Sequence, residues 1–118
     1  MPSSDPVQRF EDILENIARI EEFTAGMDLL TFSQNTQALY AVKHALLVIS
    51  EAAKKLGDVG SELAPEIPWR KVQGLGNHLR HEYDRIDVAR IWFVVEKELA
   101  PLKAAVERAL KELDGGAA

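Results

Sequence analysis

No cysteine occurs in the chain, which excludes disulfide cross-links and thiolate metal sites and suits a reducing cytoplasm. Long apolar runs are missing as well: the longest, Ala45–Ile49 and Ile91–Val95, fall far short of the roughly 20 residues that span a bilayer. The opening residues MPSSDPVQRF lack a basic flank followed by an apolar stretch, so no secretory signal is expected there. Also absent are any period-2 alternation long enough for a strand, any internal repeat, and any serine or cysteine nucleophile system. Gly74-x-Gly76 follows no strand and leads to no Lys-Ser/Thr pair, so it is no phosphate loop. These gaps leave a soluble, cytoplasmic, all-α protein with no membrane attachment.

What is present is an ordinary globular composition, 47% hydrophobic and 28% charged over 118 residues, which suits a single domain (1–118) around one core. The net charge of −5 works against non-specific binding to nucleic acid or to anionic membrane. Charge is unevenly spread. Lys plus Arg against Asp plus Glu stands at 5 to 11 over residues 1–68, 5 to 3 over 69–90 and 4 to 5 over 91–118, so only the middle segment is positive. Drift within a short window accounts for that bias as readily as function does.

Asp5-Pro6 offers an N-cap with proline at the first helical position, and Phe10, Ile13, Leu14, Ile17 and Ile20 recur at helical spacing, which predicts a first helix from about Asp5 to Thr24. Gly26 interrupts it, Met27 to Phe32 reads as a short helical turn, and a second long helix begins near the Ser33/Asn35 caps and ends at Gly57. Its apolar stripe is Leu39, Val42, Leu46, Ile49 and Ala53, with Lys54 and Lys55 in the last turn, where cations suit the helix dipole. His44, set among Val42, Ala45 and Leu46, reads as a partly buried histidine.

Residues 57–69, with Gly60, Pro65 and Pro68, read as a connection holding at most one helical turn. A third helix is expected from about Trp69 to Arg85. Asp87 then caps a last helix from Val88 to about Leu113, kinked near Pro101 because proline lacks the N–H that bonds four residues back. Residues 114–118 are expected to be a flexible tail. Four main helices with short links predict an up-and-down bundle. Apolar residues wrap much of the last helix at Ile91–Val95, which fits either a well-buried helix or a homodimer contact.

Polar chemistry concentrates in Asn77-His78-Leu79-Arg80-His81-Glu82-Tyr83 on the third helix. At about 100° per residue, Val72, Leu75 and Leu79 form a core stripe with Tyr83 at its edge, while Gln73, Asn77, Arg80, His81 and Asp84 share the opposite side. Gly74 and Gly76 are unusual inside a helix, each costing about 1 kcal/mol relative to Ala, which points either to a close approach of another backbone or a ligand or to a locally irregular helix start. A histidine that titrates near neutrality moves protons and a guanidinium holds two phosphate oxygens, so this face suits phosphoryl chemistry without a metal. An exposed Arg-His pair is, however, usually no more than a solvated helix face. His78 and His81 have no suitably spaced third ligand, so no metal site is expected.

The blocks Ser50-Glu51-Ala52-Ala53-Lys54-Lys55-Leu56, Ile67-Pro68-Trp69-Arg70 and GLGNHLRHEYDRID, in this order and spacing, resemble the HepT-like branch of the HEPN superfamily, over about residues 8–112. The resemblance implies an α-helical bundle that dimerises so that two motif helices line a cleft. It further implies the toxin of a toxin–antitoxin module, a metal-independent endoribonuclease without cofactor whose partner is a nucleotidyltransferase antitoxin. The family motif is an Arg followed by a polar residue, commonly Asn, then a spacer, His, one residue and Tyr. It maps onto Asn77, His81 and Tyr83, while the Arg position falls on Gly76.

Arg70 lies too far upstream to replace the missing Arg. Arg80 sits one turn after Gly76 and leaves nearly the same helix face, with Gly76 expected to leave room for it. Arg80 and His81 are therefore the expected catalytic pair, with Asn77 and Tyr83 positioning RNA. The resemblance also makes Tyr83 the residue that the antitoxin adenylylates, which would set negative charge in the RNA cleft. The alternative is a catalytically degenerate member that serves as a binding partner of a nucleotidyltransferase.

Overall fold

The computed structural model describes residues 5–81 and 87–117, and for residues 81, 116 and 117 it describes the backbone alone. Helix α1 spans Pro6–Phe23. It starts where expected, because the Asp5 carboxylate accepts the Gln8 N–H at 3.1 Å and Pro6 needs no partner at the first position. Gly26, at φ +75°, then turns the chain into α2 (Leu29–Ser33). Asp28 and Thr31 cap α2 reciprocally, and the Thr31 backbone N–H and then its hydroxyl hold the Asp28 carboxyl below its usual range. Helix α3 (Thr36–Leu56) is capped by Asn35 and stopped by Gly57 at φ +55°, a backbone conformation that favours glycine.

The connection after Gly57 holds the short helix α4 (Asp58–Leu63). Its Gly60 lies against the Trp69 indole, where a Cβ would meet ring atoms at 3.0 Å. Trp69 is buried, edge-on to Phe10, and donates its indole N–H to the Ala64 carbonyl at 2.9 Å. That contact ties the connection to the core and fixes where α5 (Trp69–His81) begins.

After Asp87, which accepts the Ala89 N–H, the chain runs on as α6 (Val88–Phe93), a π turn (Val94–Glu98) and α7 (Leu99–Ala117). The irregularity expected at Pro101 lies upstream of it. Proline both lacks an N–H and crowds the carbonyl four residues back, here Lys97, so widening the turn at Val94–Glu98 accommodates it. Helix α7 runs to Ala117, past the expected end at Leu113.

Among the described residues the architecture is an all-α bundle of four long runs, namely α1, α3, α5 and the rod formed by α6, the π turn and α7. Helix α3 is central, packing against both α1 and α5, and α7 packs against α1. One core runs through it, drawn from Phe10, Ile13, Ile17 and Ile20 of α1, Val42, Leu46, Ile49 and Ala53 of α3, and Leu102, Val106 and Ala109 of α7. Phe32 of α2 stacks on Trp92 of α6 with ring centroids 5.1 Å apart, pinning the start of the rod. Leu39 sits only partly in the predicted α3 stripe. His44 is exposed rather than partly buried, because it falls about 200° around the helix from Val42 and Leu46. Among the described residues no helix is long and apolar enough to cross a membrane.

Candidate functional site

Helix α5 carries the polar cluster, and its placement depends on one close contact with α3. Gly76 is buried, and a Cβ built on it would come within 2.5 Å of Ser50 Oγ. The fully buried Ser50 hydroxyl uses that proximity twice. It donates to the Gln73 carbonyl at 2.8 Å and accepts the Gly76 N–H at 2.9 Å. Gln73 adds a bond from its side-chain amide to the Ala53 carbonyl at 3.3 Å. The expected close approach at the glycines is thus realised at Gly76, and the approaching element is α3. Gly74 has no such neighbour.

This contact corrects the sequence-based wheel. Gln73 and Gly76 face α3 instead of solvent, so the polar side of α5 is partly an interface. Of the expected core stripe, Leu79 is buried, while Val72 and Leu75 are half-buried along the other flank. There α5 and the rod diverge and leave a groove of about 780 Å³, lined among others by Val72, Leu75, His78, Phe93, Val94 and Leu102. Phe93 is 54% exposed at this groove, and Lys71 spans it to Glu98 at 3.7 Å.

Asn77 and Arg80 emerge beside the α3 contact, and both are exposed. Arg80 forms an ion pair with Glu51 of α3 through Nη2 and Oε1. Lys54, one turn along α3, donates to Asn77 Oδ1 at 3.3 Å and lies 3.8 Å from the same Glu51 Oε1. Two cations therefore converge on one carboxylate next to the motif asparagine, leaving the Glu51/Lys54/Arg80 triad with one net positive charge. Gly76 does not make room for Arg80, as the sequence suggested; it makes room for Ser50. Arg80 comes to the site by crossing to α3.

His81 is the last described residue of α5, one turn beyond Asn77; only its backbone is described. Tyr83 lies outside the described residues. Of the four expected site residues, Asn77 and Arg80 are thus brought to one cluster. Glu51 and Lys54 join it unforeseen, although a Glu and a Lys three apart near the end of α3 were a readable signal. A guanidinium, an ammonium and an amide held together on an exposed helix crossing can bind a phosphodiester and neutralise charge that develops on it. Among the described residues no three His, Cys, Asp or Glu side chains gather as a metal site would require.

The chain matches the family description "Ribonuclease HepT-like" over residues 13–109. It is 37% identical over 101 residues to the protein named "Probable ribonuclease HepT" of Thermococcus cleftensis, covering 86% of this chain and 92% of the relative. It is 36% identical over 96 residues to "Putative RNase MJ1380" of Methanocaldococcus jannaschii, covering 81% and 88%. "Putative RNase MJ1216" of the same organism is 33% identical over 115 residues, 98% of this chain and 95% of that one. No solved structure matches the chain significantly.

Proposed function

The chain belongs to the HepT-like ribonuclease family, and from that premise we propose that it is a metal-independent endoribonuclease, active as a homodimer in the cytoplasm. The observation that carries this reading is the placement of Arg80, Asn77 and Lys54 in one exposed cationic cluster, with His81 next to Arg80 on the same helix. In the proposed reaction His81 accepts the proton of a ribose 2′-hydroxyl. The O2′–P bond forms as the P–O5′ bond breaks, and the departing 5′ oxygen takes up a proton. The Arg80 guanidinium balances the charge gathering on the phosphoryl oxygens, while Asn77 and Tyr83 position the RNA.

The largely apolar groove beside α5, with Phe93 exposed on it, supports a second copy docking there, an arrangement in which two motif helices would come together. The family likeness supports a wider role as the toxin of a toxin–antitoxin module whose antitoxin is a nucleotidyltransferase. In that role Tyr83 is the residue adenylylated, and mass spectrometry after co-expression with the partner checks it: a chain unmodified at Tyr83 would dismiss the modification.

The test of the main reading is cleavage of single-stranded RNA in EDTA by the purified protein and by His81→Ala. The expected result is cleavage by the first and a loss of about 100-fold or more in the second. Equal cleavage by both would overturn the assignment of His81. A second reading, favoured by the buried Gly76 where the motif has Arg, is a catalytically silent member that binds a nucleotidyltransferase. It requires no cleavage by wild type together with retained partner binding.

A further inference from the structure

The motif position that carries a cation in the family is occupied here by Gly76, and any side chain there runs into Ser50. A cation for the phosphate must come from another position. Two are within reach of Asn77, and one of them, Lys54, is on α3, outside the motif helix altogether. We propose that Lys54 is a phosphate-binding residue of the RNA site, and that Glu51 is the positioning residue that holds Lys54 and Arg80 at a fixed spacing. The proposal rests on the ribonuclease reading above and adds a second helix to its site.

Three observations support it. Lys54 Nζ is 3.3 Å from Asn77 Oδ1 on α5 and 3.8 Å from Glu51 Oε1 on its own helix, so the ammonium reaches across the helix crossing while staying beside the carboxylate that also pairs Arg80. An ammonium has three N–H donors, and a third donor can point outward from this arrangement. Its side chain is 34% exposed and that of Arg80 42%, so a phosphate can approach both without unfolding anything. Without Glu51, two like charges held this close would repel and splay apart. With it, the pair keeps one net positive charge, enough to receive one phosphodiester. A chain of net charge −5 has every reason to gather the cations it uses for RNA in such a local cluster.

The experiment separates this proposal from the reading beneath it. Binding of a 2′-O-methyl oligoribonucleotide, which lacks the attacking hydroxyl and cannot be cleaved, is measured over a range of KCl concentrations. The proteins are the full-length wild type, Lys54→Met, Lys54→Arg and Glu51→Gln, each checked for helix content. Cleavage of the unmodified oligomer is followed in parallel. Loss of one phosphate contact lowers the slope of log affinity against log salt by about 0.7 for a single strand. Lys54→Met is expected to show that change with several-fold weaker binding, and Lys54→Arg to restore both.

Glu51→Gln removes a negative charge that faces the RNA, so KM should hold or fall while kcat drops about tenfold as Arg80 loses its anchor. Unchanged affinity and slope in Lys54→Met, with wild type cleaving normally, would overturn the role of Lys54 and leave the nuclease standing. A parallel fall in kcat and rise in KM in Glu51→Gln would overturn its positioning role. A wild type that neither binds nor cleaves RNA would overturn the nuclease reading and this proposal with it.

Discussion

The two sides of α3 are built on different principles. Toward α1 the contact is apolar: the fully buried Phe10, Ile13, Ile17 and Ile20 of α1 meet a helix whose own buried residues include Val42, Leu46 and Ile49. Toward α5 the contact is polar and close: one serine hydroxyl bonded to two backbone groups, one glutamine on a carbonyl, and a carboxylate shared by two cations. Apolar burial is strong and indifferent to small shifts in register, whereas hydrogen bonds to particular backbone atoms fix register and yield little net stability. The α1 side therefore holds the fold together, and the α5 side sets where Asn77 and Arg80 stand.

Substitutions can break that contrast, and the largest effect is expected on the apolar side. Phe10→Ala should cost about 3–5 kcal/mol in denaturant unfolding, since it empties a fully buried ring site next to Trp69. RNA cleavage by the fraction still folded should be unchanged.

Gly76→Arg restores the family cation in sequence but places a Cβ 2.5 Å from Ser50 Oγ, so it should cost about 1–3 kcal/mol and reduce cleavage instead of raising it. Gly76→Ala should also destabilise, and Ser50→Gly in its background should recover part of the loss, a coupling of about 0.5–3 kcal/mol in a double-mutant cycle. Additive effects would show that the two residues do not share one contact.

Ser50→Ala alone should cost about 1–2 kcal/mol, because it removes both hydrogen bonds that the hydroxyl makes to α5 while nearly keeping the volume. The smallest stability change belongs to Glu51→Gln, at most about 1 kcal/mol, since the ion pairs it breaks are exposed. If Glu51→Gln unfolded the protein as Phe10→Ala does, the two sides of α3 would not differ as described.

The fold was readable because its signals are local. Capping residues and glycines marked the helix ends at Asp5, Asn35, Gly57 and Asp87, and each acts at the expected place. The spacing of Phe10, Ile13, Ile17 and Ile20 marked the α1 core face. The π turn was less legible: Pro101 announces a defect, but which upstream turn absorbs it depends on packing around the rod.

The site was half readable. Asn77, Arg80, His81 and Tyr83 lie in a contiguous motif, and the structure joins the first two. That Gly76 faces Ser50, and that Glu51 and Lys54 complete the cluster, depends on a crossing of helices 23 to 29 residues apart in the chain. No periodicity within α5 can encode that. The wheel assigned Gln73 to solvent because it knows only one helix, and a buried glycine can turn a polar face into an interface.

The central claim is that the cation missing from position 76 is supplied by Arg80, held against α3. It is tested most directly by cleavage of single-stranded RNA in EDTA by Arg80→Ala, with folding verified by circular dichroism. The account predicts a well-folded protein whose cleavage falls about 100-fold or more. Cleavage by folded Arg80→Ala at the wild-type rate would contradict it.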